Sequence, residues 1–293
     1  MPAPAFRLAS PRAMPAVAEA VAGIALLSVM DAIIKGVAAR HPVIEVAFIR
    51  FAVGSIVIAG VLAIARPGWP SRETLLVNGG RAVLVVITAT TFFYALSTLP
   101  LAETLALSFL APVFIAVLGA LILRERIDRR VVGALAAGFA GMLVIVSGKA
   151  GGGSLTGAAL PGAVAAVASA VTYALSMVLL RARAAKDPVV TIVALQNGVP
   201  AAILAIPAWW VWVPPTGRDA ALFLAIGTLG VGGHLLLARA FSKAEAARLA
   251  PLEYTALVWA VLLGFTVFGE VPTATTLAGA ALIVGGALVA SRR

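Results

Sequence analysis

In the stretch "SVMDAIIKGVAARHPVIEVAFIRF", residues 28–51, four ionisable side chains stand among Val, Ile, Ala and Phe: Asp31, Lys35, Glu45 and Arg50. Acids and bases so placed can hold a solute that carries both charges, pass a proton, or pair with each other and tie two helices together. On a helix Asp31 and Lys35, four apart, share a face, whereas Glu45 and Arg50, five apart, do not. Lys35 can snorkel toward water and Asp31 cannot easily do so. Arg50 is therefore expected to pair across to Asp31 or to a substrate. A charge at the centre of a membrane helix costs ~2.5–3.5 kcal/mol, and several left uncompensated would rival the stability of a whole protein. They must pair or face water.

A second layer holds Arg81, His234, Arg239 and Glu253, the last followed by Tyr254. Arg81 and Arg239 can reach an interface by snorkelling or serve a site. His234 lies in "GTLGVGGHLLLAR", a run suited to close helix packing, where one hydrogen bond can satisfy it. Glu253 is too deep for a carboxylate to reach water without a cavity, which makes it a candidate for proton coupling or for binding a substrate cation. Gln196 and Asn197 either glue helices or touch substrate. Tyr94, Phe109 and Trp259 either stack on a planar solute or pack. Glu125 and Glu270 end helices at matching positions and read as structural. The candidates for substrate binding or coupling are thus Asp31, Lys35, Glu45, Arg50, Arg81, Gln196, Asn197, His234, Glu253, Tyr254 and Trp259.

What must position these residues follows from composition. Of 293 residues 62% are hydrophobic and 12% charged, with a mean hydropathy of +1.07, whereas a soluble domain is ~25% charged. Apolar segments of membrane-spanning length, ~20 residues, recur about ten times: 17–36, 43–65, 75–97, 101–123, 130–148, 158–180, 189–212, 219–242, 247–268 and 274–290. They do not alternate as barrel strands would. The run after Arg7 and Arg12 is long and contains Asp31, so it reads as a first helix rather than a cleaved leader. The net charge of +10 belongs to short loops and not to one nucleic-acid-binding face. Fifteen basic residues fall in the termini and even-numbered loops, three (Arg40, Lys149, Arg218) on the other side and four inside spans, together the 22 of the chain. Both termini are therefore expected in the cytoplasm. No cysteine and only two histidines leave no metal site, and no cofactor is expected. Without D-x-x-x-D, HExxH or GxSxG motifs an enzyme is disfavoured, and without a filter run so is a channel.

The chain also repeats. A shift of 145 lays Gly119 on Gly264 and Glu125 on Glu270, and a shift of 146 lays Lys35 on Arg181 and Pro42 on Pro188. Five spans per repeat is odd, so the second half, 150–293, must enter the membrane inverted relative to the first, 1–149. The expected fold is an all-α polytopic membrane protein of ten transmembrane helices in two inverted five-helix repeats. Such repeats suit a transporter with its site at their interface.

The segments "ETLALSFLAPVFIAVLGALILRERIDRRVVGALAAGFAGMLVI" and "EAARLAPLEYTALVWAVLLGFTVFGEVPTATTLAGAALIVGGAL" resemble the two repeat signatures of the EamA family of the drug/metabolite transporter superfamily. The resemblance implies ten helices around a central cavity, with the fifth and tenth at the periphery, and a bacterial inner-membrane location. The expected function is secondary active transport of a small polar or zwitterionic organic metabolite, amino-acid-like or related, with export by alternating access as the first reading. Import of a riboflavin-like vitamin or an S-adenosylmethionine-like nutrient is the alternative. The expected partners are that solute, the bilayer and protons as coupling ion, with no nucleic acid, in a monomer or homodimer.

Overall fold

The structure is a computed structural model and describes residues 13–38, 40–98, 107–147, 159–268 and 274–291. The described residues contain no strand. The helices are α1 (Ala13–Ala38), α2 (Val43–Ala65), α3 (Arg72–Thr98), α4 (Ala111–Leu123), α5 (Arg129–Ser147), α6 (Ala159–Ala184), α7 (Val189–Trp210), α8 (Gly217–Lys243), α9 (Thr255–Phe268) and α10 (Ala274–Ser291). Six of them, α1, α2, α3, α6, α7 and α8, are long and apolar enough to cross a membrane, and α4 and the middle of α10 are shorter apolar helices. Ile64 is 86% exposed and Leu121 73%. An outer surface set with such side chains is at home in lipid and not in water.

Helix boundaries follow local chemistry. Pro42 and Pro188 sit just before α2 and α7, where a missing N–H costs nothing. The Ser71 hydroxyl accepts the Thr74 amide at 3.1 Å at the start of α3. Thr216 does the same for Asp219 at 3.2 Å at the start of α8, 145 positions later. Residues 101–106 of the fourth expected span lie outside the described residues, and α4 begins at Ala111 with Pro112 in its first turn. The span expected over 247–268 is not one helix. A helical turn, Ala246–Leu249, passes into a 3-10 turn, Ala250–Tyr254, before α9 starts. Pro251 in that segment cannot donate the amide a continuous helix would need.

Packing pairs helices across the two halves. α1 lies on α8 and α3 on α6; α2 lies on α7 and α5 on α10; α2 also meets α8 as α3 meets α7, and α4 meets α6 as α1 meets α9. Exchanging each helix for the one five places along maps this set onto itself. Small residues permit the closest crossings. A Cβ at Gly23 of α1 would stand 2.9 Å from the Gly233 carbonyl oxygen of α8, and one at Gly141 of α5 would stand 2.6 Å from that of Gly279 in α10. One core cluster gathers Ile24, Ile115, Met177, Ile192 and Phe241. A second gathers Met30, Ile34, Phe51, Phe93 and Phe223.

Polar ties close both ends of the bundle. At the end that carries the α1–α2 and α7–α8 turns, Arg40 donates to Asp219 at 2.7 Å. His41 lies 3.3 Å from Glu45 and 3.4 Å from Asp219. At the opposite end Arg183 pairs with Glu73 and with Asp187 at 2.7 Å. Asp187 also accepts from Thr74 and Asn78, each at 2.9 Å. Burial pushes the Asp187 carboxyl upward, but the hydrogen bonds from Arg183, Thr74 and Asn78 reverse this and hold it below the usual carboxylate range. A depressed carboxyl stabilises the fold above its unfolded value near 3.8, and that stability is lost as pH falls through the folded value. Asp187→Asn is therefore expected to cost about 1 kcal/mol near pH 7, a figure discounted for water at the bundle end. Thermal unfolding of both proteins from pH 7 down to pH about 3 checks this. The gap must narrow as the pH falls, and a constant gap would refute it.

Candidate functional site

Five ionisable side chains converge in the interior. α1 supplies Asp31, α2 Arg50, α6 Tyr173, α8 His234, and the 3-10 turn before α9 Glu253. Each is surrounded by protein, yet Asp31 is exposed and the other four keep partial exposure. Side chains that are enclosed but still accessible line an internal space that water can enter. Charges held at membrane depth need such a space.

Arg50 does not form an ion pair with Asp31. Its Nε donates to the Met30 sulfur at 3.3 Å, and its guanidinium carbon lies 4.5 Å from the centre of the Phe51 ring. Asp31 and Arg50 remain within electrostatic reach of each other. A direct Asp31–Arg50 tie between helices, one of the two expectations, is thus not made; Arg50 Nε turns to the Met30 sulfur instead. Opposite them the Tyr173 hydroxyl donates to both Glu253 oxygens, at 3.1 and 3.0 Å. His234 Nδ1 donates to the Gly230 carbonyl at 2.7 Å, which leaves Nε2 as the acceptor. It senses both Arg50 and Arg81. The break at Pro251 is what puts Glu253 on a turn rather than on a continuous helix face.

Other candidates fall elsewhere. Glu45 is fully buried, tied to His41 and to the Val213 amide at 3.2 Å, at the bundle end and apart from Asp31. The Lys35 side chain lies outside the described residues. Gln196 accepts from Arg81 at 2.7 Å. Asn197 donates to the Val193 carbonyl and lies so close to Gly54 that a Cβ there would sit 2.3 Å from its oxygen. Tyr254 is buried against Phe109, ring centres 5.8 Å apart, and against Gly138, where a Cβ would come within 2.2 Å of its ring. Trp259 packs on the larger core cluster, and Tyr94 is exposed. Arg239 pairs with Glu19 at 3.2 Å. Glu125 receives Arg181 at 3.1 Å and the Ala247 amide at 3.3 Å, while Glu270 lies outside the described residues. A cleft of about 830 Å³ beside Glu125 and Arg181 is lined by loop charges such as Arg124, Arg126 and Asp128, away from Asp31. Among the described residues no cluster fit to hold a metal ion occurs.

Sequence reasoning missed Tyr173. A lone tyrosine in an apolar span gives no sign of its partner, 80 positions away. Ser176, one turn further along α6, faces Arg81 at 3.4 Å and was equally silent.

Comparison with known proteins supplies the family and the fold. The model of the EamA-like transporter family matches residues 14–147 and again 160–292. A pseudopaline exporter of Pseudomonas aeruginosa is 36% identical over 273 residues, 90% of this chain and 92% of that protein. An S-adenosylmethionine uptake transporter of Rickettsia bellii is 27% identical over 264 residues, 89% of this chain and 88% of that one. A solved crystal structure superposes with a TM-score of 0.82 at 24% identity, covering 94% of this chain and 97% of its own, which speaks for the fold alone. A double family match that spans nearly the whole sequence, with transporters as relatives, leads to one conclusion: the chain belongs to the EamA-like transporter family.

Proposed function

We propose that this protein is a secondary active carrier that moves a small polar or zwitterionic organic metabolite across the bacterial inner membrane by alternating access, outward as the first reading. The observation that carries this is the enclosed but accessible space with acids (Asp31, Glu253) and bases (Arg50, His234) on its walls. Such a lining suits a solute with both charges and would be expensive in a purely structural core. The layout we propose is two inverted repeats, 1–149 and 150–293, supported by the self-mapping helix pairs and the double family match. Both termini are placed in the cytoplasm on the strength of the basic residues. Protons are the proposed coupling ion, and the carrier is a monomer or homodimer.

Import is the second reading, favoured by the relatives named as S-adenosylmethionine uptake transporters. One experiment separates the two. Untargeted metabolite profiling of cells lacking or overproducing the protein, with a reporter fused to either terminus, is expected to show one polar solute accumulating inside on deletion and both reporters cytoplasmic. Loss of uptake of that solute on deletion would reverse the direction. No change in any solute would defeat the carrier reading, and a terminus outside would defeat the topology.

A further inference from the structure

We propose that Arg81 binds the carboxylate of the transported solute, an assignment that rests on the carrier reading above. Arg81 is 0% exposed, and a guanidinium stays charged in any protein interior. Its partners are neutral: the Gln196 side-chain oxygen at 2.7 Å and the Ser176 hydroxyl at 3.4 Å. Its Nε has no hydrogen-bond partner among the described residues. Among the described residues no carboxylate comes within ion-pair distance of it, whereas buried Arg183 has Glu73 and Asp187. A buried cation supplied with acceptors but not with a counter-charge is held at a cost. The cost is recovered when an anion arrives.

The surroundings identify that anion. Gln196 and Ser176 fix one edge of the guanidinium and leave Nε free, so the remaining donors present the fork that a planar carboxylate matches. One turn along α6 from Ser176, Tyr173 holds Glu253. His234 senses Arg81 and Arg50 together. A solute whose carboxylate sits on Arg81 thus has acidic groups within the same interior for its ammonium. The rival occupant is an ordered water between Arg81 Nε and Asn78 Oδ1, a second buried atom without a partner one turn away. A water supplies hydrogen bonds but no negative charge.

The test is equilibrium binding to the purified full-length protein in detergent, read as Tm at constant ionic strength. The probes are acetate, L-alanine and succinate, each against its amide: acetamide, L-alaninamide and succinamide. At about ten times its Kd a bound carboxylate is expected to raise Tm by roughly 3 °C above its amide. The Arg81→Met/Gln196→Leu variant, which removes cation and acceptor together, is expected to melt no lower than wild type without probe and to lose the gap. Arg81→Lys, a point charge without the fork, is expected to keep only part of it. Equal shifts for carboxylate and amide in wild type, or a gap that survives in the double variant, would overturn the assignment and leave water as the occupant. Binding without flux of any solute in proteoliposomes would instead sink the carrier reading alone.

Discussion

Asp31→Asn is expected to reach the membrane at wild-type abundance while solute flux falls about tenfold or more. A charge-assisted contact is worth ~1.5–3 kcal/mol, and every ~1.4 kcal/mol lost is a factor of ten. The substitution keeps size and polarity and removes only the charge. Because Arg50 rests on Met30 and Phe51 rather than on Asp31, losing the acid strands no direct partner among the described residues and folding should hold. The discriminating variant replaces Asp31 and Arg50 together with apolar residues of similar size. A purely structural pair would survive joint replacement with little loss, or even gain stability. A pair that serves the solute stays dead. Flux measured beside membrane abundance for the single and double variants decides between them, and full rescue in the double variant would sink the functional role of Asp31.

Glu253→Gln is expected to abolish accumulation driven by a pH gradient while leaving solute counter-exchange within about threefold of wild type. A carboxylate that takes up and releases a proton can couple transport to that gradient, and an amide cannot. Exchange of solute for solute needs no net proton movement, so it survives. The Tyr173 hydroxyl, which donates to both Glu253 oxygens, orients the acid. Tyr173→Phe should therefore weaken gradient-driven accumulation only several-fold. Proteoliposomes loaded with the solute identified by metabolite profiling, with and without an imposed pH gradient, supply both readouts. Gradient-driven accumulation that persists in Glu253→Gln would refute proton coupling through this residue.

Some of this was legible beforehand. Apolar length alone placed α2 at 43–65 without error, because Pro42 and Arg66 bound it on both sides. The broken span was not legible. Proline in "ARLAPLEY" is compatible with a helix start, a kink or a 3-10 turn, and spacing alone does not choose among them. Spacing showed that Glu45 and Arg50 leave α2 in different directions. It did not show that Glu45 turns to His41, four residues back, or to Val213, a contact that depends on how the α7–α8 turn folds back, 168 positions away. The interior acids and bases were visible as types out of place in lipid. Their neutral partners, Met30, Tyr173 and Ser176, were not, because nothing about an apolar or hydroxyl side chain in a membrane span is out of place.

The crossing of α1 and α8 at Gly23 and Gly233 has a mechanical meaning. With no side chain on either glycine, the two backbones come into direct contact at this crossing within a long packed seam, and such a close approach can serve as a fulcrum. From Gly23 to Ala13 is ten residues and to Ala38 fifteen, arms of roughly 15 and 22 Å at 1.5 Å per residue. Any tilt about the contact therefore carries the Ala38 end about one and a half times as far as the Ala13 end. Asp31, roughly 12 Å along the longer arm, travels with it.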